Sequence, residues 1–187
     1  MSVLSAWDHQ LLTAINVHLH HPMVMAWMVL LTRAGEPAVV VAVVAVSGAL
    51  AWRRHRRDAL AGALGLLAAL TLAEVVKGLV DRPRPAEVFH TFYVAPEGLG
   101  RSFPSGHATA AFALAALLSV CWPRGRLLWW AMALGVAWSR IYLGLHFPSD
   151  CVGGAVLGSG MVWLAVWVGR RLGSRGASRP VGSHNVT

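Results

Sequence analysis

The sequence predicts an all-α, polytopic membrane helical bundle, and three observations carry that prediction. Of its 187 residues, 56% are hydrophobic and only 13% charged, with a mean hydropathy of +0.57, which lies outside the soluble class. Apolar runs near the length of a membrane crossing, about 20 residues, recur between short polar breaks. Arginines crowd into alternate breaks, as they do on the cytoplasmic side of a multi-pass protein. Such a chain has room for a handful of crossings and for no large soluble domain. The formal charge of +8 would suggest nucleic acid in a soluble protein; here bilayer topology accounts for it, so no nucleic-acid partner is expected.

The first 34 residues predict amphipathic or interfacial helices. Met1 to Gln10 carries Asp8 and neither Lys nor Arg, so a cleaved signal peptide is not expected. Leu11, Leu12, Ile15 and Leu19 fall at helical spacing, while His18, His20 and His21 interrupt the apolar pattern, which suits a helix lying in the interface. Met23 to Thr32 is too short to span alone, although the two stretches joined could make a sixth span.

Five spans are expected after that. Pro37 to Trp52 is uncharged and ends at the RRHRR run, Arg53 to Arg57. Ala59 to Val80 carries Glu74 and Lys77 near its end, which is costly in lipid and so points inward or to an interface. Asp81 to Phe103, with DRPRP and APEGLG, reads as a loop. Pro104 to Trp122, Leu127 to Leu145 and Pro148 to Val168 follow, separated by PRGR and a short HFP corner. Gly154 and Gly158 offer a small-xxx-small surface for close helix packing. Residues 1–171 thus form one membrane-embedded domain. Residues 172–187 are small, polar and basic and predict a disordered cytoplasmic tail, on which the Asn185-Val186-Thr187 sequon is ascribed to chance. Cys121 and Cys151 make no C-x-x-C motif and fall at opposite faces, which supports neither a disulfide nor a zinc site.

The charges divide by face. Of fifteen arginines, ten (Arg53, Arg54, Arg56, Arg57, Arg124, Arg126, Arg170, Arg171, Arg175 and Arg179) share one face under alternating threading, and that face is cytoplasmic by the positive-inside rule. The unusual polar residues collect on the other, extracytoplasmic face, in KGLVDRPRP (Lys77 to Pro85), RSFPSGHA (Arg101 to Ala108) and SRIYLGLHFPSD (Ser139 to Asp150). Any one of them could be an interfacial snorkel or a helix cap; the set together reads as a binding site.

Lys77, Arg84 and Arg140, facing few acids, demand an anion, and phosphate fits best. The Pro104-Ser105-Gly106 turn opens a helix whose unpaired N–H groups favour a phosphoryl oxygen, and Gly106 lets the backbone approach closely. Ser105 suits both an N-cap and a phosphate ligand. Asp150 follows His146 by four residues across a helix start at Pro148, so its carboxylate can reach back to the imidazole, hold its tautomer and raise its nucleophilicity. His107 is left to protonate a leaving oxygen. Two histidines and an aspartate could instead bind zinc, but nearby arginines would repel a cation and a ligated metal would sequester the nucleophile. No metal and no cofactor are therefore expected.

The patterns K-x6-RP at Lys77 to Pro85, PSGH at Pro104 to His107, and SR-x5-H-x3-D at Ser139 to Asp150 resemble the three signature motifs of the type-2 phosphatidic acid phosphatase family. That family shares its core with vanadium haloperoxidases and glucose-6-phosphatase. The resemblance implies that Lys77, Arg84 and Arg140 hold a phosphate, aided by Ser105 and Gly106. It implies that His146 attacks phosphorus to give a phosphohistidine, His107 serves as general acid and Asp150 orients His146, without a metal. Short members with an N-terminal amphipathic helix resemble undecaprenyl diphosphate phosphatases of bacterial cell-wall carrier recycling. The function so implied is removal of a terminal phosphate from a lipid phosphate or diphosphate in the inner (plasma) membrane, at an extracytoplasmic site, with membrane lipids as partners. A phosphatidate or phosphatidylglycerophosphate phosphatase and a lipid phosphotransferase are the alternatives.

Overall fold

A computed structural model describes residues 3–89, 93 and 100–176. Every regular element among the described residues is helical: α1 (Val3–Thr13) with a π-helical turn at Ala14–His18, α2 (Pro22–Arg33), α3 (Pro37–Val80), α4 (Pro85–Val88), α5 (Gly106–Cys121), α6 (Arg126–Tyr142) and α7 (Pro148–Gly176). The all-α expectation holds.

Helix α5 forms the centre, packed against α3, α6 and α7. Its sequence, GHATAAFALAALLSVC, has small apolar residues on all sides, as a helix buried all round must. Ala108, Ala110, Ala113 and Ala116 are wholly buried. Close approach of α7 follows from the glycine pair expected to provide it: a Cβ on Gly154 would lie 3.0 Å from the Thr109 nitrogen, and one on Gly158 3.0 Å from the Ala113 nitrogen. Gly65 does the same for α3, where a Cβ would fall 2.7 Å from the Met161 carbonyl of α7.

The arginine run expected to be a loop is helical. Arginine is a good helix former and nothing in RRHRR breaks a helix, so α3 continues through it with one non-helical residue, His55 (φ −130°, ψ 21°). The chain folds back there, because Val44, Ser47 and Gly48 face Ala59, Leu60 and Ala63 across a cavity of ≈ 560 Å³. Asp58 pairs with Arg170 at 2.7 Å, which joins this bend to the last turns of α7. Arg53, Arg56 and Arg57 at the bend and Arg170 and Arg171 late in α7 therefore lie at the end of the bundle opposite Lys77, His107 and His146.

Three other expectations need adjustment. The tail expected from residue 172 is helical through Gly176, since no proline arrives before Pro180 to stop it; residues 177–187, with the sequon, lie outside the described residues. The loop from Asp81 holds the short α4, and its residues 90–92 and 94–99 also lie outside them. Two segments, His55–Val88 and Pro148–Ser174, are by themselves long and apolar enough to cross a membrane, while Ala38–Ala51 and Gly106–Cys121 are apolar but shorter. At about 1.5 Å per residue, the 16 residues of α5 fall short of a bilayer core, so the structure does not establish five spans. Residues Ala6–His18 and Pro22–Arg33 pass the same test together but are bent by 119°. Of the four leucine and isoleucine positions expected on one face, Leu12 and Ile15 are buried and Leu11 and Leu19 are exposed. The buried face also carries Asp8 and Asn16, and it packs towards α6 and α7.

Candidate active site

Backbone geometry at four helix ends brings the polar residues together. Asp81 closes α3 in the left-handed conformation (φ 47°), which a short polar side chain tolerates, and its carboxylate accepts from Arg101 at 2.7 Å. The chain then turns back, so that Arg84 stands before α4 and faces Lys77. Ser105 caps α5: its hydroxyl accepts from the Ala108 N–H at 3.4 Å. Gly144 (φ 68°) lets α6 end in a tight corner where the Arg140 carbonyl accepts from the N–H groups of Leu145 (3.0 Å) and His146 (3.3 Å). Asp150, in the first turn of α7, accepts from the Phe147 N–H at 2.8 Å, the return half of a capping box.

These ends enclose a cavity of ≈ 470 Å³ lined by Leu70, Ala73, Glu74, Lys77, Arg84, Gly106, His107, Arg140 and His146. All three expected cations, both histidines and Gly106 therefore meet in one space. A Cβ on Gly106 would lie 3.2 Å from the Lys77 Nζ, so the missing side chain is what lets the ammonium sit over the start of α5. Lys77 is itself paired with Glu74 at 2.6 Å. Ser105 and Asp150 do not line the cavity; both are fully buried behind it. For Ser105 the capping role is the one seen.

Asp150 stands behind His146 as expected, with a qualification in distance. The His146 Nδ1 lies 3.7 Å from Asp150 Oδ2, an ion-pair distance and longer than a hydrogen bond. Ser102 bridges them: its hydroxyl donates to Asp150 Oδ2 and lies 3.4 Å from the His146 Nδ1. With Nδ1 turned to this pair, Nε2 is the nitrogen left for the cavity. Burial pushes the imidazole pKa down to about 4, the Asp150 carboxylate opposes that fall and the Arg140 charge adds to it. At neutral pH the ring is therefore neutral, the state in which its nitrogen lone pair can attack.

A sequence model of the PAP2 superfamily matches residues 58–174, which carry all three motifs. The chain belongs to the PAP2 superfamily. Among its PAP2 relatives, an undecaprenyl-diphosphatase of Sulfolobus acidocaldarius is 30% identical over 75% of this chain and 68% of its own length. A decaprenylphosphoryl-5-phosphoribose phosphatase of Mycobacterium tuberculosis is 37% identical over 69% of this chain and 71% of its own. The crystal structure of a transmembrane PAP2-type phosphatidylglycerolphosphate phosphatase from Bacillus subtilis superposes with a TM-score of 0.75 over 97% of this chain and 90% of that one, at 24% identity, a likeness of fold.

Beyond the two contacts of Ser102, four more at this PAP2 site have no counterpart among the expected residues. Arg82 donates from one Nη1 to Asp150 Oδ1 and to the Ser149 hydroxyl, both at 2.7 Å, and from Nη2 to Asp8 at 2.7 Å. Thr32 accepts from Arg140 at 2.9 Å. Arg82 lies inside the recognised KGLVDRPRP stretch, and its nearness to Arg84 was the available signal. Asp8 and Thr32 carried none, because no local pattern links them to residues more than 70 positions away. Among the described residues no three His, Cys, Asp or Glu side chains converge as a metal site would.

Proposed function

We propose that the protein is an integral membrane phosphatase that removes a terminal phosphate from a lipid phosphate or diphosphate through a phosphohistidine. The observation that carries this reading is the single cavity in which Lys77, Arg84 and Arg140 surround His146 and His107, with Asp150 behind His146. The cations and the N-terminus of α5 hold the phosphate oxygens and stabilise charge on them in the transition state. His146 Nε2 attacks phosphorus as the bond to the lipid oxygen breaks, and His107 gives that oxygen a proton. Water then attacks the phosphohistidine, His107 takes its proton, and inorganic phosphate leaves. Leu70 and Ala73, one to two turns below Lys77 on α3, give the cavity an apolar side toward which a lipid tail can run.

A polyprenyl diphosphate is the first choice of substrate, supported by the two relatives whose names refer to undecaprenyl and decaprenyl lipids. Phosphatidate and phosphatidylglycerophosphate are the alternatives, the second supported by a shared fold. Release of phosphate from undecaprenyl diphosphate, phosphatidate, phosphatidylglycerophosphate and a soluble ester tests the order. Preference for the first supports the polyprenyl reading, and equal rates on all four contradict it. Activity is expected to survive EDTA; loss restored by zinc or magnesium would overturn the metal-free mechanism.

In this reading five helical segments cross the plasma membrane, the arginine-rich end and the C-terminus are cytoplasmic, and the site opens to the outer face. Val88 is exposed near that site, and a Val88→Cys protein should react with an impermeant thiol reagent on intact cells. Protection would reverse the orientation.

A further inference from the structure

Residues 1–57 lie outside the matched PAP2 region, yet the N-terminal segment touches the groups around the phosphate site at three points. Gly35 backs onto His107, where a Cβ would come within 3.3 Å of the imidazole side chain. Thr32 holds Arg140. Asp8 makes the most connected of the three contacts. It is 4% exposed and uses both oxygens: Oδ2 accepts from Arg82 Nη2 at 2.7 Å and from the Ser149 hydroxyl at 2.5 Å, and Oδ1 accepts from the Ser149 N–H at 2.9 Å. Arg82 continues to Asp150 Oδ1 at 2.7 Å, with its guanidinium 4.1 Å above the Phe147 ring. A chain of alternating charge, Asp8, Arg82, Asp150, thus ends at His146.

We propose that Asp8 is a positioning residue of the reaction, which offsets the charge of Arg82 so that Asp150 acts on His146 with an undiminished negative field. This rests on the phosphatase reading above. When Nε2 bonds to phosphorus while Nδ1 keeps its proton, the imidazole ring becomes cationic, so a negative field beside it lowers the barrier. Among the described residues, the other charged or titratable groups around His146 are Lys77 on α3, Arg84 before α4, His107 on α5 and Arg140 on α6, and the one acid lining the cavity is Glu74, already paired with Lys77. Without Asp8, the uncompensated Arg82 charge offsets part of the Asp150 field at the ring, which the surrounding cations already oppose. Asp8 also pins Ser149, which precedes Asp150 in the first turn of α7. The phosphate ligands Lys77, Arg84 and Arg140 make none of the Asp8 contacts, so their grip on phosphate is independent of it.

The test uses full-length protein in detergent, a lipid phosphate that the wild type hydrolyses, and inorganic phosphate as inhibitor. Asp8→Asn keeps the size of the side chain and removes its charge. Its kcat is expected to fall by about tenfold, with KM and the inhibition constant of inorganic phosphate unchanged, and Asp8→Glu, which restores the charge, should recover at least half of the loss. Wild-type kcat in Asp8→Asn, or an inhibition constant weakened as much as kcat, would overturn the proposal. Where Asp8→Asn does not give folded protein, Arg82→Gln and the double variant Asp8→Asn/Arg82→Gln decide: equal kcat in the two supports the proposal, and a further fall of about tenfold in the double variant overturns it. A wild type that releases phosphate from none of the lipids overturns the phosphatase reading and this proposal together, whereas an active wild type beside an equally active Asp8→Asn overturns this proposal alone.

Discussion

The motif-bearing helices and the N-terminal segment reach the same cavity by different means. Helices α3, α5, α6 and α7 deliver Lys77, His107, Arg140 and His146 from their ends, so the groups that would touch phosphate lie close to helix caps and corners that local sequence specifies. The N-terminal segment delivers Asp8, Thr32 and Gly35 against residues that lie 72 to 141 positions later. The residues proposed to touch substrate are thus concentrated in short patterns, whereas the groups that hold them in place come from wherever the packing brings them. The largest test of that division is His146→Ala, which removes the proposed nucleophile and is expected to lower phosphate release by at least about 10⁴-fold, measured at saturating lipid substrate. Activity within tenfold of wild type would move the nucleophile elsewhere.

Removing one proposed phosphate ligand should cost less. Arg84→Ala and Arg140→Ala are each expected to lower kcat/KM by about 10²-fold to 10³-fold, with a matching weakening of inhibition by inorganic phosphate. Thr32→Val removes a partner of Arg140 while keeping its shape, and the loss of one hydrogen bond to a charged group predicts a fall in kcat/KM of about tenfold. If Thr32→Val costs as much as Arg140→Ala, the distinction between touching and supporting residues fails for this pair.

How far the sequence foretold this arrangement depends on the same distinction. The three patterns located Lys77, Arg84, Gly106, His107, Arg140, His146 and Asp150 because each sits a fixed few residues from a helix end, and helix ends have local signatures in Pro104, Gly144 and Pro148. Ser105 was legible as a cap for the same reason. The reversal at Arg53 to Arg57 was legible as charge between two apolar runs, but its helical form, broken at His55 alone, was not, since a helix of arginines and a loop of arginines look alike in composition. Nor was the polar face of α1: Asp8 and Asn16 follow the same helical spacing as Leu12 and Ile15, and only their partners, Arg82 and the Tyr142 carbonyl, explain why polar residues are buried there. The five spans read from hydropathy were inferred from runs whose ends are polar site residues, and α5 is shorter than its run because it begins at the cavity.

Two smaller effects sharpen the comparison further. Gly35→Ala would put a Cβ 2.6 Å from the Val136 Cγ1, and overpacking of this kind predicts a loss of about 1–3 kcal/mol, read as a lower Tm in detergent. An unchanged Tm would mean that the N-terminal segment is not seated against α5 and α6. The acid limb of kcat/KM reports groups of the free enzyme. With the pKa of His146 lowered to about 4 by burial, its neutral form persists as pH falls from 7 to 5 and is lost only near 4. His146 should therefore contribute no acid limb near pH 6.5; a limb there that moves to lower pH in Asp150→Asn, which removes the carboxylate beside His146, would place its titration higher.

The most direct measurement is acid- and alkali-resolved trapping of the phosphoenzyme after rapid mixing with a lipid carrying ³²P in its terminal phosphate. The account predicts a label that is stable to alkali and labile to acid, that maps to the peptide containing His146 and that is missing from His146→Ala. An acid-stable label, or equal labelling of His146→Ala, would contradict it.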